Sequence, residues 1–335
     1  MGIYLEYSNS NIMVNNIINE NNIGIIFPSS DLNIITDNNI ESNEGGSGIF
    51  LMSSNSNTIE NNILNNNGIY LYDSDLNTIT DNNIENNRYG IFLSSDSNTN
   101  TITDNDVENN RDGISLRGSE NIIDSNIFCY NDGSDIEVTG DNNQFIYNQC
   151  DNIEGEKIEC ISCDVELEKY EIELNPSWNL ISSYIILYFN DMESIFNRLV
   201  RQNILEIVKD GNGRFYIPEN DFDNIGEWIS TEGYWVKVNE PATLTIIGEE
   251  HTPLIIKLNE GWNTIAYPLR GSNNVRDLLN PLVEDNLLEI IKDGFIRFYL
   301  PRYGFDNLEN MNSGKGYIIK VSEDAVLNFD VVFNH

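Results

Sequence analysis

A short phrase repeated along the first half of the chain limits the possible folds more than any other feature. Its clearest copy reads GIYLYDSDLNTITDNNIENN, over residues 68–87. The Gly-Ile pair that opens each copy stands at Gly2, Gly24, Gly48, Gly68, Gly90 and Gly113, and a degenerate copy begins at Asp135. Self-similarity with a period of about 22 residues is the sequence signature of a solenoid.

Each copy contains three short apolar runs, separated by clusters of Asn, Asp, Ser and Gly. Apolar residues never follow the spacing of a helix over several turns, so the runs predict three strands and three turns for every copy. The regular leucines of a leucine-rich repeat are missing. The remaining solution is a parallel β-helix, in which each strand pairs with its equivalent one coil away, at about 4.8 Å.

Equivalent apolar side chains are expected to stack inside such a coil. One predicted stack contains Ile12, Ile34, Ile59, Ile79, Ile102 and Ile123, and a second contains Ile17, Ile40, Ile63, Ile84, Val107 and Ile127. A column of asparagines precedes the first stack, at Asn11, Asn33, Asn57, Asn77, Asn100, Asn121 and Asn143. An amide can donate to one neighbour and accept from the other, so we interpret the column as structural rather than as a binding stripe.

The repeat resembles the right-handed parallel β-helix repeats of the pectate-lyase-like superfamily, in the Asn-rich form called NosD-like or carbohydrate-binding-and-sugar-hydrolase repeats. The resemblance rests on the motifs GI-x-L, NTIT and NNI within residues 1–150. It implies a right-handed coil of about seven turns, as found in archaeal and bacterial surface proteins. It does not imply one function, because the superfamily includes lyases, hydrolases, epimerases, adhesins, tailspikes and inert spacers.

The composition excludes several classes of partner. The chain has 335 residues and a formal net charge of -36, from 54 acidic and 18 basic residues. Such a chain repels nucleic acid and anionic lipid, and no apolar run is long enough to span a membrane. The first residues lack a signal peptide and enter the repeat at once, as expected of a mature chain, a trimmed chain or a fragment.

A second duplication follows the repeats. LNPSWNLIS at 174–182 matches LNEGWNTIA at 258–266, and ILEIVKDGNGRFYIP at 204–218 matches LLEIIKDGFIRFYLP at 287–301. In each copy, apolar residues at helical spacing precede the shared KDG, and strand-like segments flank them. Each copy is therefore predicted to be a small α+β module.

The whole chain is predicted to be mainly β, with four parts: a parallel β-helix (1–152), a cysteine-containing linker or cap (153–168) and two tandem α+β modules (169–250 and 251–335). Through SWNLIS and GYWV in the first copy, and GWNTIA and GYII in the second, the modules are similar to those of large prokaryotic surface proteins. That resemblance implies no chemistry.

Acidic side chains recur at similar places in successive repeats. One approximate column contains Asp37, Glu60, Asp81, Asp104 and Asp124. Carboxylates on adjacent coils, about 4.8 Å apart, are suited to a hard cation such as Ca²⁺. A glycosidase needs a unique pair of carboxylates, which a regular column does not provide. We therefore interpret the column as solvated turns or as a calcium site, and not as a catalytic centre.

Four other side chains are candidates for glycan contact. Arg88 and Arg111 occupy matching positions, in NNRYGI and NNRDGI, and with Arg117 they are the only cations in residues 1–150. They either contact a sugar or offset the local acidic charge. Among the aromatic residues of the modules, Trp228 and Trp235 have no aromatic counterpart in the second copy, so exposed positions are expected for them.

The cysteines are the sharpest local feature of the sequence. Cys129 and Cys150 lie about one coil apart, and Cys160 and Cys163 have C-x-x-C spacing. In an oxidising exterior two disulfides are favoured, with a zinc site of four thiolates as the alternative. The NosD label also suggests copper, which prefers His, Cys and Met. The two histidines, His251 and His335, are outside the β-helix, which argues against copper in the repeats.

The sequence favours an extracellular, non-catalytic structural or adhesive protein of the cell surface. Gly2, Ile3, Tyr4 and Leu5 form a repeat strand with no polar cap before it, so assembly with other chains through this end of the β-helix, giving a filament or surface layer, is expected. The alternatives are a carbohydrate-active enzyme, either a polysaccharide lyase or a glycoside hydrolase, and a glycan-binding protein without catalysis.

Overall fold

The chain divides into two units, Met1–Val165 and Glu166–His335. The structure, a computed structural model, describes residues 2–41, 47–155, 157–250 and 255–329. His251 and His335 lie outside the described residues. None of the helices in these ranges combines the length and the apolar character that crossing a bilayer requires.

Short strands form the coils of the first unit. In chain order they are β1 (Ile3–Tyr4), β2 (Ile12–Val14), β3 (Ile17–Asn19), β4 (Ile23–Pro28), β5 (Ile34–Thr36), β6 (Asn39–Glu41), β7 (Ser47–Met52), β8 (Thr58–Glu60), β9 (Ile63–Asn65), β10 (Gly68–Tyr72), β11 (Thr78–Thr80), β12 (Asn83–Glu85), β13 (Tyr89–Leu93), β14 (Thr101–Thr103), β15 (Asp106–Glu108), β16 (Asp112–Leu116), β17 (Ile122–Asp124), β18 (Ile136–Val138), β19 (Gln144–Ile146) and β20 (Ile153–Gly155).

Within the described residues these strands form three sheets, and neighbouring strands in each sheet run parallel. Sheet A has the order β1-β4-β7-β10-β13-β16-β18-β20, sheet B the order β19-β17-β14-β11-β8-β5-β2, and sheet C the order β15-β12-β9-β6-β3. Each strand pairs with the equivalent strand of the next coil. The predicted mainly β chain that begins with a parallel β-helix is confirmed.

The inner stack on sheet B differs from its prediction in the first two coils. From Ile59 to Ile123 the predicted residues are in register and fully buried. Before them, however, Met13 and Ile35 occupy the inner positions, and Ile12 is 67% exposed. The prediction of Ile12 and Ile34 was wrong by one residue, and in a strand such a shift turns the side chain to the opposite face.

The stack on sheet C shows the same error. Ile40, Ile84 and Val107 are buried as predicted. In two other coils the residue after the predicted one faces inward. Ile18 pairs with Ile40, and Leu64 pairs with both Ile40 and Ile84. Ile17 and Ile63 are 77% and 52% exposed. Ile127 also lies outside the core, and Phe128 is the buried residue.

Asparagine ladders run along the corners of the coil. The predicted column is confirmed, since each side-chain nitrogen donates to the amide oxygen one coil further, from Asn11 to Asn33 at 3.0 Å through to Asn121 and Asn143 at 3.0 Å. A second ladder, which the sequence analysis missed, contains Asn16, Asn38, Asn62, Asn82, Asn105, Asn126 and Asn148.

Asn82 shows how completely such an amide is used. Its Oδ1 accepts from the backbone and side-chain nitrogens of Asn62, both at 3.0 Å. Its Nδ2 donates to Asn105 Oδ1 at 2.9 Å and to the Ile59 carbonyl at 3.0 Å. Asn82 is 1% exposed, so these partners replace the water that the amide loses on burial.

Two disulfides close the C-terminal end of the β-helix, joining Cys129 to Cys163 and Cys150 to Cys160. The preference for two disulfides is confirmed and the zinc alternative is wrong, because no described cysteine is free. A bridge between Cys129 and Cys150 is not formed. Ile127 pairs with Gln149, which places Cys129 one residue out of register with Cys150.

The second unit contains two copies of one arrangement of strands and helices. Copy one has β21 (Glu168–Leu174), β22 (Ser177–Ile181), β23 (Ile185–Leu187), α1 (Met192–Arg201), β24 (Leu205–Lys209), β25 (Phe215–Ile217), β26 (Phe222–Asp223), β27 (Tyr234–Val238) and β28 (Ala242–Glu250). Copy two has β29 (Ile255–Leu258), β30 (Gly261–Ile265), β31 (Ser272–Asn274), α2 (Val275–Glu284), β32 (Leu288–Lys292), β33 (Phe298–Leu300), β34 (Phe305–Asp306), β35 (Asn310–Asn312), β36 (Tyr317–Val321) and β37 (Ala325–Asn328).

Each copy packs its helix on an antiparallel sheet of equivalent order, β22-β27-β24-β25-β26 and β30-β36-β32-β33-β34. The predicted apolar positions at helical spacing are buried: Met192, Ile195, Phe196 and Leu199 in α1, and Val275, Leu278, Leu279 and Leu282 in α2. Each helix begins at a polar side chain that accepts from a backbone N–H of its first turn, Asp191 for α1 and Asn274 for α2.

The two copies contact each other through reciprocal pairs of residues. Ser182 N donates to Gly314 O at 3.3 Å, and its equivalent Ala266 donates to Thr231 O at 3.0 Å. The isolated bridges are reciprocal too, Ile181 with Lys315 in one direction and Glu232 with Ile265 in the other. Equivalent residues of the two copies therefore contact each other reciprocally, as they do in an isologous dimer. Such contacts indicate that an approximate two-fold axis relates the copies.

The amide ladder generates a stability prediction. Asn82→Ala is expected to lower the free energy of unfolding by about 3 kcal/mol, because buried polar groups of Asn62 and Ile59 lose their partner. Asn83→Ala is the matched control, since Asn83 is adjacent but faces outward, and its effect should stay within about 0.5 kcal/mol. Denaturant unfolding measures both, and equal losses would contradict a structural ladder.

The disulfides generate a second prediction. Replacing Cys129 and Cys163 with serine removes a disulfide between residues 34 positions apart. Replacing Cys150 and Cys160 with serine removes one between residues 10 positions apart. The longer closure should cost about 4 kcal/mol and the shorter about 3 kcal/mol, because closing a longer loop removes more entropy from the unfolded chain. Mass spectrometry of the intact protein without reductant should detect no free thiol among the four. Four reactive thiols would contradict the pairing.

Candidate functional site

An aromatic row lies on the outer face of sheet A. In the motif GI-x-L the Ile and Leu side chains are buried in the coil, and residue x between them faces outward. Position x is Phe50, Tyr70 and Phe92 in three consecutive coils, and the three residues are register partners. Their rings are therefore brought together by the strand pairing alone.

Two further tyrosines enlarge this row. Tyr72 lies 5.4 Å from the Phe50 ring and 5.3 Å from the Phe92 ring, between ring centroids. Tyr89 lies 5.6 Å from Phe92, and Tyr70 lies 5.9 Å from it. Such distances are typical of interacting aromatic pairs.

Two arginines complete the group. The guanidinium carbon of Arg88 is 5.2 Å from the centre of the Tyr89 ring, and that of Arg117 is 5.2 Å from the centre of the Phe92 ring. Both distances are within the range of a cation–π contact. We call these seven residues the aromatic patch: Phe50, Tyr70, Tyr72, Arg88, Tyr89, Phe92 and Arg117.

The patch interrupts the regularity of the coil. Along the same outward row, Ile26 precedes Phe50, while Ser115 and Glu137 follow Phe92. Burial raises the pKa of the Tyr70 hydroxyl, and the nearby Arg88 charge opposes that rise. The hydroxyl is therefore a neutral donor at physiological pH. Flat rings, a hydroxyl donor and two guanidinium groups are suited to a sugar ring that carries an anionic group.

Arg88 and Arg111 occupy equivalent positions on adjacent coils, since Tyr89 pairs with Asp112, but their side chains make different contacts. Arg88 belongs to the aromatic patch. The Arg111 side chain is 66% exposed and its Nε lies 3.8 Å from a carboxylate oxygen of Asp112. Arg117, which was not a candidate, is the second arginine of the patch. The signal that could have found the patch was the aromatic residue at position x in three consecutive repeats.

The tryptophan candidates also differ from each other. Trp228 is 4% exposed, stacks on Tyr234 at 4.2 Å and packs near Phe196. Its expected exposure was wrong, because this indole fills the core of copy one. Trp235 is half-buried and meets Trp178 edge to face at 6.4 Å. A glycan contact at Trp235 stays a prediction.

The five acidic residues of the predicted column do not share one row. Glu60 is a register partner of Thr36 and Thr80, and Asp124 is a partner of Thr103. The residues after the threonines, Asp37, Asp81 and Asp104, stand at corners with positive φ and accept from the preceding threonine hydroxyl. In the described ranges no group of three or more His, Cys, Asp or Glu is placed to hold a metal ion, so the structure does not show the calcium site expected of this column.

A different acidic group lies on the outer face of sheet C. Glu85 and Glu108 are register partners, and Asp106 is two residues before Glu108 on the same face. Burial and repulsion from Glu85 raise the pKa of Asp106, and burial with repulsion from Asp106 and Glu85 raises the pKa of Glu108. These carboxyls are on another sheet than the aromatic patch.

The raised pKa of Asp106 predicts a pH-dependent gain from Asp106→Asn. Because the folded state holds this proton more tightly than the unfolded state does, the charged carboxylate destabilises the fold once the pH exceeds the raised pKa. Removing that charge should stabilise the protein at neutral pH by about 0.5 kcal/mol after solvent screening. The gain should vanish near the ordinary aspartate pKa of about 4. Thermal unfolding at both pH values tests this, with Asp96→Asn in an exposed turn as the control.

The predicted assembly segment forms the first coil. Ile3 and Tyr4 pair with Ile25 and Ile26, and Leu5 N donates to Ile26 O at 3.1 Å. Strands β1, β2 and β3 are terminal in the described parts of sheets A, B and C. Assembly through this coil stays a prediction.

Two family models match parts of this chain. Residues 1–112 match the family described as periplasmic copper-binding protein (NosD), and residues 68–197 match the family described as right handed beta helix region. No curated protein matches the sequence.

Two solved structures are similar to the chain. The Dettilon tailspike protein is 13% identical, with a TM-score of 0.35 over 91% of this chain and 66% of that chain. The tailspike of Pseudomonas phage phi297 is 9% identical, with a TM-score of 0.24 over 73% of this chain and 59% of that chain. The chain thus spans less than two thirds of either tailspike chain, and both likenesses are too weak for a functional argument.

The residues present do not fit the copper that the NosD family name implies. Residues 1–112 contain no histidine and no cysteine. Of the described methionines in that range, Met13 lies in the core and Met52 faces outward on sheet A. A soft copper site needs several such donors together. The evidence for the fold does not depend on a bound metal. The chain is a right-handed parallel β-helix repeat protein.

Proposed function

We propose that this protein is a non-catalytic adhesive protein of an extracytoplasmic surface, which holds a glycan on the aromatic patch of a rigid β-helix. The observation that carries the proposal is the patch itself. Four exposed or half-buried rings and two exposed arginines lie together on one face of sheet A, next to the Phe92 ring, which is itself 6% exposed.

The chemistry of the patch favours a glycan with carboxylate groups. Aromatic rings cover the apolar faces of sugar rings, and tyrosine hydroxyls add hydrogen bonds. Arg88 and Arg117 are two of only three cations in residues 1–150. In a chain with a net charge of -36, they make this face the most favourable place on the β-helix for a carboxylate.

Two features support the non-catalytic and extracytoplasmic parts of the proposal. The carboxyls with raised pKa on the β-helix, Asp106 and Glu108, are on sheet C. They therefore lie away from the sugar that the patch on sheet A would hold. The disulfides between Cys129 and Cys163 and between Cys150 and Cys160 are of a kind that persists in oxidising compartments.

Binding of the intact protein to arrayed polysaccharides tests the proposal. Arg88→Gln combined with Arg117→Gln should weaken binding to uronate-containing polysaccharides at least about tenfold, because each lost charge-assisted contact removes roughly 1.5 kcal/mol or more. Tyr70→Ala should weaken binding to both uronate-containing and neutral chains. Arg111→Gln, an exposed arginine beside the patch, is the matched control and should bind like the unmodified protein.

Two results would contradict the proposal. One is equal binding by the Arg88 and Arg117 double variant and the Arg111 control. The other is shortening of the bound polysaccharide during incubation, detected by size-exclusion chromatography, which would favour the carbohydrate-active enzyme.

A further inference from the structure

A cavity of about 720 Å³ opens on copy two of the second unit, between the end of α2, the start of β32 and the turn after β33. Its apolar wall consists of Val283, Leu288, Leu300 and Pro301. Leu288 is 7% exposed and belongs to the core of the copy, so the wall is anchored by packing. The volume lies within the range of small-molecule sites.

Four polar side chains line the rest of the cavity: Asn286, Glu289, Arg302 and Tyr303. Glu289 accepts from Lys320 Nζ at 2.6 Å, so its charge is already compensated. In the described part of the chain, Arg302 forms no ion pair. Its guanidinium carbon lies 5.9 Å from the Tyr303 ring, and that ring is 73% exposed. The cavity is therefore lined by a cation without an ion pair and by an exposed aromatic ring.

Copy one provides an internal comparison. The residues 83 positions earlier are Val200, Asn203, Leu205, Glu206, Ile217 and Pro218, which repeat the apolar wall, the asparagine and the glutamate. The Lys237–Glu206 pair repeats Lys320–Glu289. The arginine and the tyrosine are not repeated, since copy one has Glu219 and Asn220 in their places.

The backbone that carries these residues is the same in both copies. Glu219 and Asn220 of copy one lie on the short 3-10 turn Pro218–Asn220, and Arg302 and Tyr303 of copy two lie on the turn Pro301–Tyr303. Each turn is followed by a residue with positive φ, Asp221 or Gly304. The copies therefore differ in charge and in aromatic character at one exposed turn, while the surrounding scaffold is unchanged.

We propose that the cavity of copy two is a second binding site, specific for a single sugar ring that carries a carboxylate, such as a uronate. Arg302 forms a bidentate pair with the carboxylate. Tyr303 and Pro301 cover the apolar face of the ring, and Asn286 and Glu289 bond its hydroxyl groups. The corresponding surface of copy one repels the same ligand, because Glu219 replaces the arginine. This site does not depend on glycan binding by the aromatic patch.

Exchange of the turn residues between the copies tests the proposal in the full chain. Arg302→Glu with Tyr303→Asn gives copy two the residues of copy one, and should reduce the affinity for glucuronate at least about tenfold. Glu219→Arg with Asn220→Tyr gives copy one the residues of copy two. Made together with Arg88→Gln and Arg117→Gln, which disable the aromatic patch, it should raise the stoichiometry from one glucuronate per chain to two. All four positions are outside the cores, so both variants should melt like the unmodified protein.

Isothermal titration with glucuronate, glucose and acetate measures these effects. Glucuronate should bind at least about tenfold more tightly than either glucose or acetate, because only glucuronate has both the ring and the charge. Arg88→Gln with Arg117→Gln should leave this binding unchanged, which separates the cavity from the patch. The proposal is overturned if the unmodified chain fails to bind millimolar glucuronate, if acetate binds equally well, or if Arg302→Glu with Tyr303→Asn binds like the unmodified chain.

Discussion

The β-helix depends on the hydrogen bonds that equivalent residues form between adjacent coils. Asn57, Asn77 and Asn100 are at most 1% exposed. Each side chain accepts a hydrogen bond from the asparagine one coil before it and donates one to the asparagine one coil after it. A buried amide without such partners costs about 1–3 kcal/mol. Because both partners lie on neighbouring coils, no single coil is stable alone, and the ladders fix the register of the whole stack.

The same register decides which side chains reach the surface. Once Ile69 and Leu71 face the core, Tyr70 must face outward, and its neighbours in the stack are Phe50 and Phe92. The aromatic patch is therefore a product of strand pairing.

The second unit uses duplication in a different way. In the β-helix each copy is incomplete without its neighbours, whereas each α+β copy has its own buried core. The two copies then meet through reciprocal backbone bonds. Such an arrangement leaves the exposed turns of each copy free to change separately. Pro218–Asn220 and Pro301–Tyr303 have kept the same backbone while their side chains have diverged.

Much of the fold was readable in the sequence because its determinants are local and periodic. The repeat length, three strands per coil, the first asparagine column and the two buried helix faces all follow from residue spacing. Of the residues in the aromatic patch, only Arg88 was a candidate from the sequence, and the aromatic residues around it were not.

The sequence by itself determined the coil, its main ladder and the duplication, because each of these repeats a pattern at a fixed interval. Only the tertiary structure decided which of two adjacent apolar residues faces inward, as at Ile12 and Met13, and which cysteines pair. It alone buried Trp228 and brought Arg117 over Phe92. These outcomes depend on register to a single residue and on contacts between distant segments, and composition and spacing do not fix either of them.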